Sequence, residues 1–475
     1  MNYLKLFTKA LFRHQQIIVG ILVSVYIFRL HANHSFFVGD DFQVYKAWMD
    51  PTSLLSNNFT AIRDVSLDKW RPLNNFATST LMGKFKNYSD WNLLGLILWI
   101  VLLSLMILIR QSWIQTNKIH VVAGVILITL SPTLWYVQNS VFVFLELGPI
   151  VAILAGLILL YRAMENNTKV SVLYSAIWTG TAGLFHERFY IASFVLALSC
   201  YLRSRKYPLY KSTHLYYFVI PLIWVYSMTV SLGANPLRGG GETGFSNNIG
   251  TWVIRNLYVA FIEIFKISGQ IIVFDSGIPS LFDYSVALLL FLCLCTVTFL
   301  IKKHLGYKGT ELWLLMLGTA IPAGLVYERI EPRWLLAPTI FFCLLAWMFL
   351  DQAKPGSMRY LSIIATIALI YLTVTVQGKF EKFEKWKTDS QKIVNMALNS
   401  APPEGEWHLS LQLLDGSEKW RYWALDNGAV FSENIPNGPS SFNQYFEDCP
   451  SRCVILQVKE KEGELFIDSK VISKT

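Results

Sequence analysis

Charged residues are scarce in this sequence. Asp, Glu, Lys and Arg make up 15% of its 475 residues, and hydrophobic residues make up 53%. Soluble globular proteins carry about 25% charged residues. No internal repeat and no low-complexity segment is present, which argues against a repeat architecture. The composition predicts an α-helical polytopic membrane protein, because apolar windows long enough to cross a bilayer recur from Gln15 to Gln377.

We expect neither a cleavable signal peptide nor a nucleic-acid partner. The N-terminus carries Lys5, Lys9 and Arg13 before an apolar run, but no small-residue cleavage site follows, so we predict a retained first helix. The formal net charge is +9. The basic residues, however, lie mostly in short loops between apolar runs, where they orient a membrane protein.

The apolar windows predict about eleven transmembrane helices. Basic residues cluster in alternate loops, which the positive-inside rule assigns to the cytoplasm. The segment 250–274 carries one polar stripe, with Arg255, Glu263 and Lys266, so we interpret it as an interfacial helix rather than a span. The predicted spans are 14–31, 92–110, 120–137, 141–160, 170–185, 189–202, 214–232, 284–301, 311–327, 334–350 and 360–377.

This topology divides the chain into two predicted domains. Residues 1–377 form a transmembrane domain with long outer loops at 32–91 and 233–283, and residues 378–475 form a small soluble α+β domain. The second domain opens with a charged helix and closes with a hairpin that turns around residues 459–463. By topology it faces the periplasm.

Cysteine is rare, with six residues in the chain, and four of the six lie in apolar spans. Cys449 and Cys453 form the only pair in soluble sequence. In an oxidising compartment a disulfide bond across this short loop is expected, and two unpaired thiols are the alternative. A zinc site would need further ligands, and the sequence offers no cluster to supply them.

Ionisable residues gather in the segments predicted to face outward. They could pair structurally, relay ions or bind a charged substrate. Most span interiors carry no ionisable residue, with Glu146 near one end as an exception, which argues against an ion pathway. The candidates are Asp40, Asp41, Arg71, His186, Glu187, Arg188, Glu328, Arg329, Glu331 and Arg333.

Four short motifs carry a resemblance to a known family. They are VGDDFQVYKAW at 38–48, WRPL at 70–73, HERF at 186–189 and ERIEPRWLLAP at 328–338. In these motifs and in its layout the chain resembles the integral-membrane glycosyltransferases of the GT-C superfamily. The resemblance implies that a polyprenyl-phosphate-linked sugar is transferred on the outer membrane face, with inversion at the anomeric carbon. Size and layout are similar to bacterial enzymes that modify O-antigen, part of lipopolysaccharide, or other surface glycans. Many relatives have Asp-Glu where this chain has Asp40-Asp41.

The chemistry of sugar transfer suggests a role for each candidate. A carboxylate should take the proton of the acceptor hydroxyl, and cations should stabilise the charge on the departing phosphate. We predict that Asp40 is the general base and that Asp41 orients the acceptor or substitutes for Asp40. The predicted phosphate-binding residues are Arg329, Arg333, His186, Arg188 and Arg71, and the predicted orienting residues are Glu187, Glu328 and Glu331.

The expected partners are a polyprenyl-phosphate sugar donor, a glycan or lipid acceptor and membrane lipid, at the periplasmic face of a bacterial inner membrane. We expect no cofactor, since arginines can neutralise a single phosphate; a divalent cation held by the two carboxylates is the alternative. Two other functions stay open: an O-antigen polymerase or ligase, and a flippase or transporter for a lipid-linked sugar.

Overall fold

The computed structural model describes two groups of residues along the chain. The first group covers 71–82, 88–111, 143–166, 168–204, 212–227, 281–325, 329–330 and 332–352, with the pair 272–273. The second covers 395–402, 407–414, 441–443, 452–461 and 464–473, and a few single positions are also described. Asp40, Asp41, Glu328, Glu331 and Cys449 lie outside the described residues.

Helices make up most of the described part of the chain up to residue 352. They are α1 (Pro72–Met82), α2 (Tyr88–Gln111), α3 (Val143–Asn166), α4 (Lys169–Phe185), α5 (Tyr190–Ser204), α6 (Tyr216–Tyr226), α7 (Leu281–Leu325) and α8 (Leu336–Gln352). Three 3₁₀ turns, Glu187–Phe189, Thr213–Leu215 and Pro332–Leu335, connect or begin helices. Two short strands, β1 (Ile272–Val273) and β2 (Arg329–Ile330), pair antiparallel.

Helices α3 and α4 pack as a close antiparallel pair, because small residues line their contact. A Cβ placed on Gly156 of α3 would lie 2.4 Å from the hydroxyl of Thr179 on α4, so only glycine permits this approach. The hydroxyl of Ser175 donates to the Gly156 carbonyl at 2.7 Å. Near the other end of the pair, Gly148 lies against the Phe185 ring, which brings the start of α3 to the end of α4.

Gly306 divides α7 into two helical halves. Its φ of 65° and ψ of −156° are not helical, and this region of backbone space is open essentially to glycine alone. The indole Nε1 of Trp313 donates to the Thr298 hydroxyl at 2.7 Å. In a continuous helix these residues would lie about 22 Å apart, so the two halves fold back on each other as a hairpin.

Helix α5 runs antiparallel to the second half of α7. Ser199 and Arg203 of α5 both bond Glu311, and Ile191, one residue into α5, packs against Gly318. The start of α5 therefore lies toward the C-terminal end of α7. This pairing decides which loops share one end of the helical unit, which comprises the described residues within 71–78 and 92–352.

The described residues of the C-terminal part belong to the second of two compact units, which also includes 79–82 of α1 and 88–91 of α2. They form a four-stranded sheet. The strands are β3 (His408–Leu413), β4 (Ser441–Asn443), β5 (Arg452–Lys461) and β6 (Glu464–Ser473), in the order β4-β3-β5-β6. β3 is parallel to β4 and β5, and β5 pairs antiparallel with β6 in the register Gln457 opposite Asp468. The hairpin predicted around residues 459–463 is confirmed.

One face of this sheet forms the core of the unit. Alternate β5 residues Val454, Leu456 and Val458 are buried, as the two-residue period of a strand requires. They pack with Trp407, with Leu409 and with helical residues of the preceding segment, Ile393 and Ala397.

The prediction of about eleven transmembrane helices is wrong. Among the described residues, one helix, α3, is long and apolar enough to cross a membrane. Shorter apolar helical segments occur at Leu93–Ile109, Thr213–Tyr226 and Leu336–Met348, below the roughly 20 residues that a span needs. The predicted spans 14–31, 120–137 and 360–377 lie almost wholly outside the described residues.

The prediction was wrong because apolar composition does not distinguish a helix buried in protein from a helix in lipid. A helix that is hydrophobic on all sides is buried, but the burial can be inside protein or inside lipid. In α3, 72% of the most apolar window is buried within the protein. Hydropathy along the chain therefore located apolar helices without identifying their surroundings.

Candidate functional site

Four predicted site residues meet at one end of the helical unit. Helix α4 ends at Phe185, and the chain turns through His186 and the 3₁₀ turn Glu187–Phe189 into α5. The backbone of His186 is extended, with φ −155° and ψ 123°, and its N–H donates to the Ala182 carbonyl at 3.3 Å. Arg71, which immediately precedes α1, reaches this turn from a distant part of the sequence.

Arg71 and Glu187 form a bidentate ion pair. The Arg71 Nε and Nη2 atoms donate to the two carboxylate oxygens of Glu187, each at 2.7 Å. The side chains keep 17% and 27% of their exposure, so the pair lies at the edge of the protein rather than deep inside it. Burial alone would raise the pKa of Glu187, but Arg71 and His186 outweigh it and hold that pKa well below its usual range.

His186 lies between the two members of this ion pair. Its Nε2 is 3.3 Å from Arg71 Nη2, and its Nδ1 is 3.3 Å from a Glu187 oxygen. A guanidinium can only donate, so Nε2 must accept, and the ring proton belongs on Nδ1, facing Glu187. The Arg188 backbone N–H lies 3.4 Å from Nδ1, but a protonated Nδ1 cannot accept a hydrogen bond from it.

The imidazole of His186 is held neutral by its surroundings. Its side chain is 13% exposed. Burial, and then the positive charge of Arg71, lower the pKa of His186 from 6.5 to about 3. At neutral pH this residue therefore contributes a hydrogen-bond donor and an acceptor but no charge.

Arg188 pairs with Glu146 near the start of α3. The side chains are 8% and 1% exposed, and the Arg188 guanidinium lies 4.7 Å from the centre of the Phe189 ring. Glu146 is not among the site residues predicted from the sequence. The available signal was a lone carboxylate within an otherwise apolar segment.

The two predicted late arginines follow α7 at the same end of the helical unit. The turn Glu187–Phe189 contacts α7, and the packing of Ile191 against Gly318 directs the end of α7 toward this turn. Arg329 lies in β2, where its backbone pairs with Val273, so β2 also ties the ERIEPRW segment to the predicted outer loop 233–283. Arg333 lies in the next 3₁₀ turn.

The predicted cysteine pair is only partly described. Cys453 is buried on β5 and disulfide-bonded. Its predicted partner, Cys449, lies outside the described residues.

The charges of this cluster sum to zero. Arg71 and Arg188 supply two positive charges, Glu187 and Glu146 supply two negative charges, and His186 is neutral. Each arginine is therefore already paired with a carboxylate. The Nη1 atom of Arg71 forms no hydrogen bond with another described residue, so it keeps donors for a further acceptor.

No group of three His, Cys, Asp or Glu residues able to hold a metal occurs within the described ranges.

A second charged network lies at the other end of α5 and was not anticipated. Glu311 accepts hydrogen bonds from Ser199, Arg203 and Tyr161, the last at 3.0 Å. These side chains come from α3, α5 and α7, and Arg203 and Glu311 are 5% and 3% exposed. We assign this network to structure: an ion pair this deeply buried needs its added hydrogen bonds, and losing one member is costly.

No protein-family model matches the chain, and no curated protein matches it at a significant level. The candidate site therefore rests on its own residues and contacts.

Proposed function

We propose that this protein is an inverting glycosyltransferase that takes a sugar from a polyprenyl-phosphate donor. The acceptor would be a surface glycan, such as O-antigen, or a lipid, and the reaction would take place at the periplasmic face of a bacterial inner membrane. The observation that supports the proposal is the bidentate contact between Arg71 and Glu187. It joins the WRPL and HERF motifs, two of the motifs on which the resemblance depends, although they lie more than a hundred residues apart in sequence.

The proposed reaction begins with proton removal. The carboxylate of Asp40, with Asp41 as its neighbour, takes the proton of the acceptor hydroxyl as that oxygen attacks the anomeric carbon. The bond between the sugar and the phosphate breaks, and the electron pair leaves with the phosphate. The ring passes through a state with oxocarbenium character, and inversion follows from attack opposite the leaving group.

The neutral cluster refines the role of the cations. Because Arg71 and Arg188 are already paired with carboxylates, the added negative charge of a phosphate must be met by further cations. We assign that task to Arg329 and Arg333, which the chain carries at the same end of the helical unit. Glu187 then orients Arg71, whose remaining Nη1 donors can bind one phosphate oxygen.

The test measures sugar transfer by purified protein given a labelled polyprenyl-phosphate sugar and candidate glycan acceptors. We expect polyprenyl phosphate to be released and the label to enter the acceptor. Asp40→Asn should reduce the rate by about 100-fold or more, the usual contribution of a general base. Asp64→Asn serves as the matched control, because it changes a carboxylate in the same predicted loop that has no assigned role.

Two results would contradict the proposal. Full activity in Asp40→Asn and in Asp41→Asn would remove the base mechanism. Movement of the labelled lipid across a liposome membrane without release of polyprenyl phosphate would instead indicate a flippase. Loss of activity in a chelator, with recovery on adding magnesium or manganese, would overturn the metal-independent form of the mechanism alone.

A further inference from the structure

Strand β6 forms an edge of the C-terminal sheet. Among the described strands it pairs only with β5, and its ten residues span about 33 Å. The backbone N–H of Ser469, at its middle, donates to the neighbouring Asp468 carboxylate at 2.9 Å. That N–H is therefore not used to bond β5, and it points toward the open edge. Since hydrogen-bonding direction alternates along a strand, every second residue on either side of Ser469 presents its backbone to the same edge.

The sequence of β6 is complementary to itself when it is reversed about Ser469. In an antiparallel pair of two β6 strands centred on this residue, opposite charges would face each other twice, and two apolar pairs would form on each side of the axis. Phe466 and Val471 are 53% and 52% exposed, so apolar surface is present on this strand for such a contact. The facing residues would be Asp468 with Lys470, Ile467 with Val471, and Phe466 with Ile472.

We propose that two copies of this chain associate through their β6 edges, with a two-fold axis at Ser469. The two four-stranded sheets would join into one continuous sheet across the axis. Antiparallel pairing over the whole strand would form roughly ten main-chain hydrogen bonds. In the dimer the Ser469 N–H would exchange the Asp468 carboxylate for the Ser469 carbonyl of the other copy, which leaves that carboxylate available to Lys470. The contact is isologous, because the same surface is used by both copies, and so it closes at a dimer instead of propagating into a fibre. This inference does not depend on the proposed glycosyltransferase activity.

The charges on β6 favour a second copy of this chain, rather than an unrelated strand, as the partner at this edge. A charged residue on an edge normally discourages pairing with another chain, and Asp468 would have that effect against a neutral or acidic strand. Against an inverted copy of β6 the same carboxylate lies opposite Lys470, so the charge of Asp468 favours this pairing. Within its own sheet Asp468 faces Gln457 and Lys470 faces Ile455, so neither charge has an opposite charge directly across on β5.

Cysteine substitution at the axis tests the geometry in the full-length protein. In Ser469→Cys, the two sulfurs would lie on opposite residues of a hydrogen-bonded pair, whose Cα atoms are about 5.5 Å apart. That separation lies within the range for a disulfide bond. We expect a covalent dimer on a non-reducing gel after mild oxidation. Glu464→Cys is the matched control: Glu464 is exposed on the same strand, but its two copies would lie about 34 Å apart. Equal cross-linking of the two variants would overturn the proposal.

Charge exchange tests the specificity of the pairing. Asp468→Lys would place like charges opposite each other at two points, and we expect it to weaken dimerisation by about tenfold or more, measured by light scattering after size-exclusion chromatography. Adding Lys470→Asp restores opposite charges in reversed order, so the double variant should regain the dimer. A monomeric parent protein, or a double variant no better than Asp468→Lys, would contradict the proposed interface.

Discussion

His186 provides a sharp test of the candidate site, because its surroundings hold it neutral. The lowered pKa of about 3 compares with about 6.5 in an unfolded chain. Below pH 6.5 His186 binds a proton in the unfolded state but stays neutral in the folded state. The free energy of unfolding therefore falls as pH decreases, from about pH 6.5 until the pH reaches the folded value.

The size of the effect follows from the difference between the two pKa values. Each pH unit within this window removes about 1.4 kcal/mol. At pH 5 the loss from His186 amounts to about 2 kcal/mol relative to pH 7.5. The pKa of Glu187 is also lowered, but that carboxylate loses its contribution only below its ordinary value. The interval from pH 7.5 to pH 5 thus excludes the contribution of Glu187, and comparison with a variant that lacks His186 isolates the contribution of His186.

The assay compares the parent protein with His186→Gln in chemical unfolding at pH 7.5 and pH 5, at constant ionic strength. The glutamine side chain can accept from Arg71 without titrating. We expect the parent to lose about 2 kcal/mol more than the variant over this interval. His304→Gln, at an exposed position on α7, should behave like the parent. Equal losses in the parent and His186→Gln, or a midpoint near pH 6.5 for His186 by NMR, would refute the reasoning.

Two further predictions concern stability. Arg188→Met should lower the free energy of unfolding by about 3–5 kcal/mol, because it leaves the Glu146 carboxylate buried beside an apolar side chain. The double variant with Glu146→Met should recover much of that loss in chemical unfolding. No recovery would show that the pair is not coupled. Gly306→Ala should lower the free energy of unfolding by roughly 1–3 kcal/mol through backbone strain. The cost would come from strain alone, since an added Cβ would meet no atom within 4 Å. A neutral result in thermal unfolding would show that the turn in α7 relaxes freely.

Much of the local structure follows from patterns in the sequence. Helices occupy the apolar segments around 92–110, 141–160 and 170–185, where the described residues permit comparison. The β5–β6 hairpin follows from two short runs rich in β-branched residues on either side of a turn. Such patterns act over a few residues, so they can be recognised without knowledge of the rest of the chain.

The contacts of the candidate site could be anticipated only in part. The sequence pattern predicted four residues that the structure brings together, Arg71, His186, Glu187 and Arg188. It did not foresee that Glu146 would neutralise Arg188 or that the cluster would carry no net charge. The choice of partner for a charged side chain depends on which helices meet at one end, and that depends on packing between residues far apart in the chain.

Composition and periodicity were sufficient to locate the apolar helices and the final hairpin, because backbone preference and side-chain spacing are local properties. They were not sufficient to establish what surrounds each helix or which charges meet. Hydrophobic burial has no direction, so an apolar helix is equally satisfied by lipid or by protein. The fold alone settles those choices, through the antiparallel packing of α5 on α7 and the contact of Arg71 with Glu187.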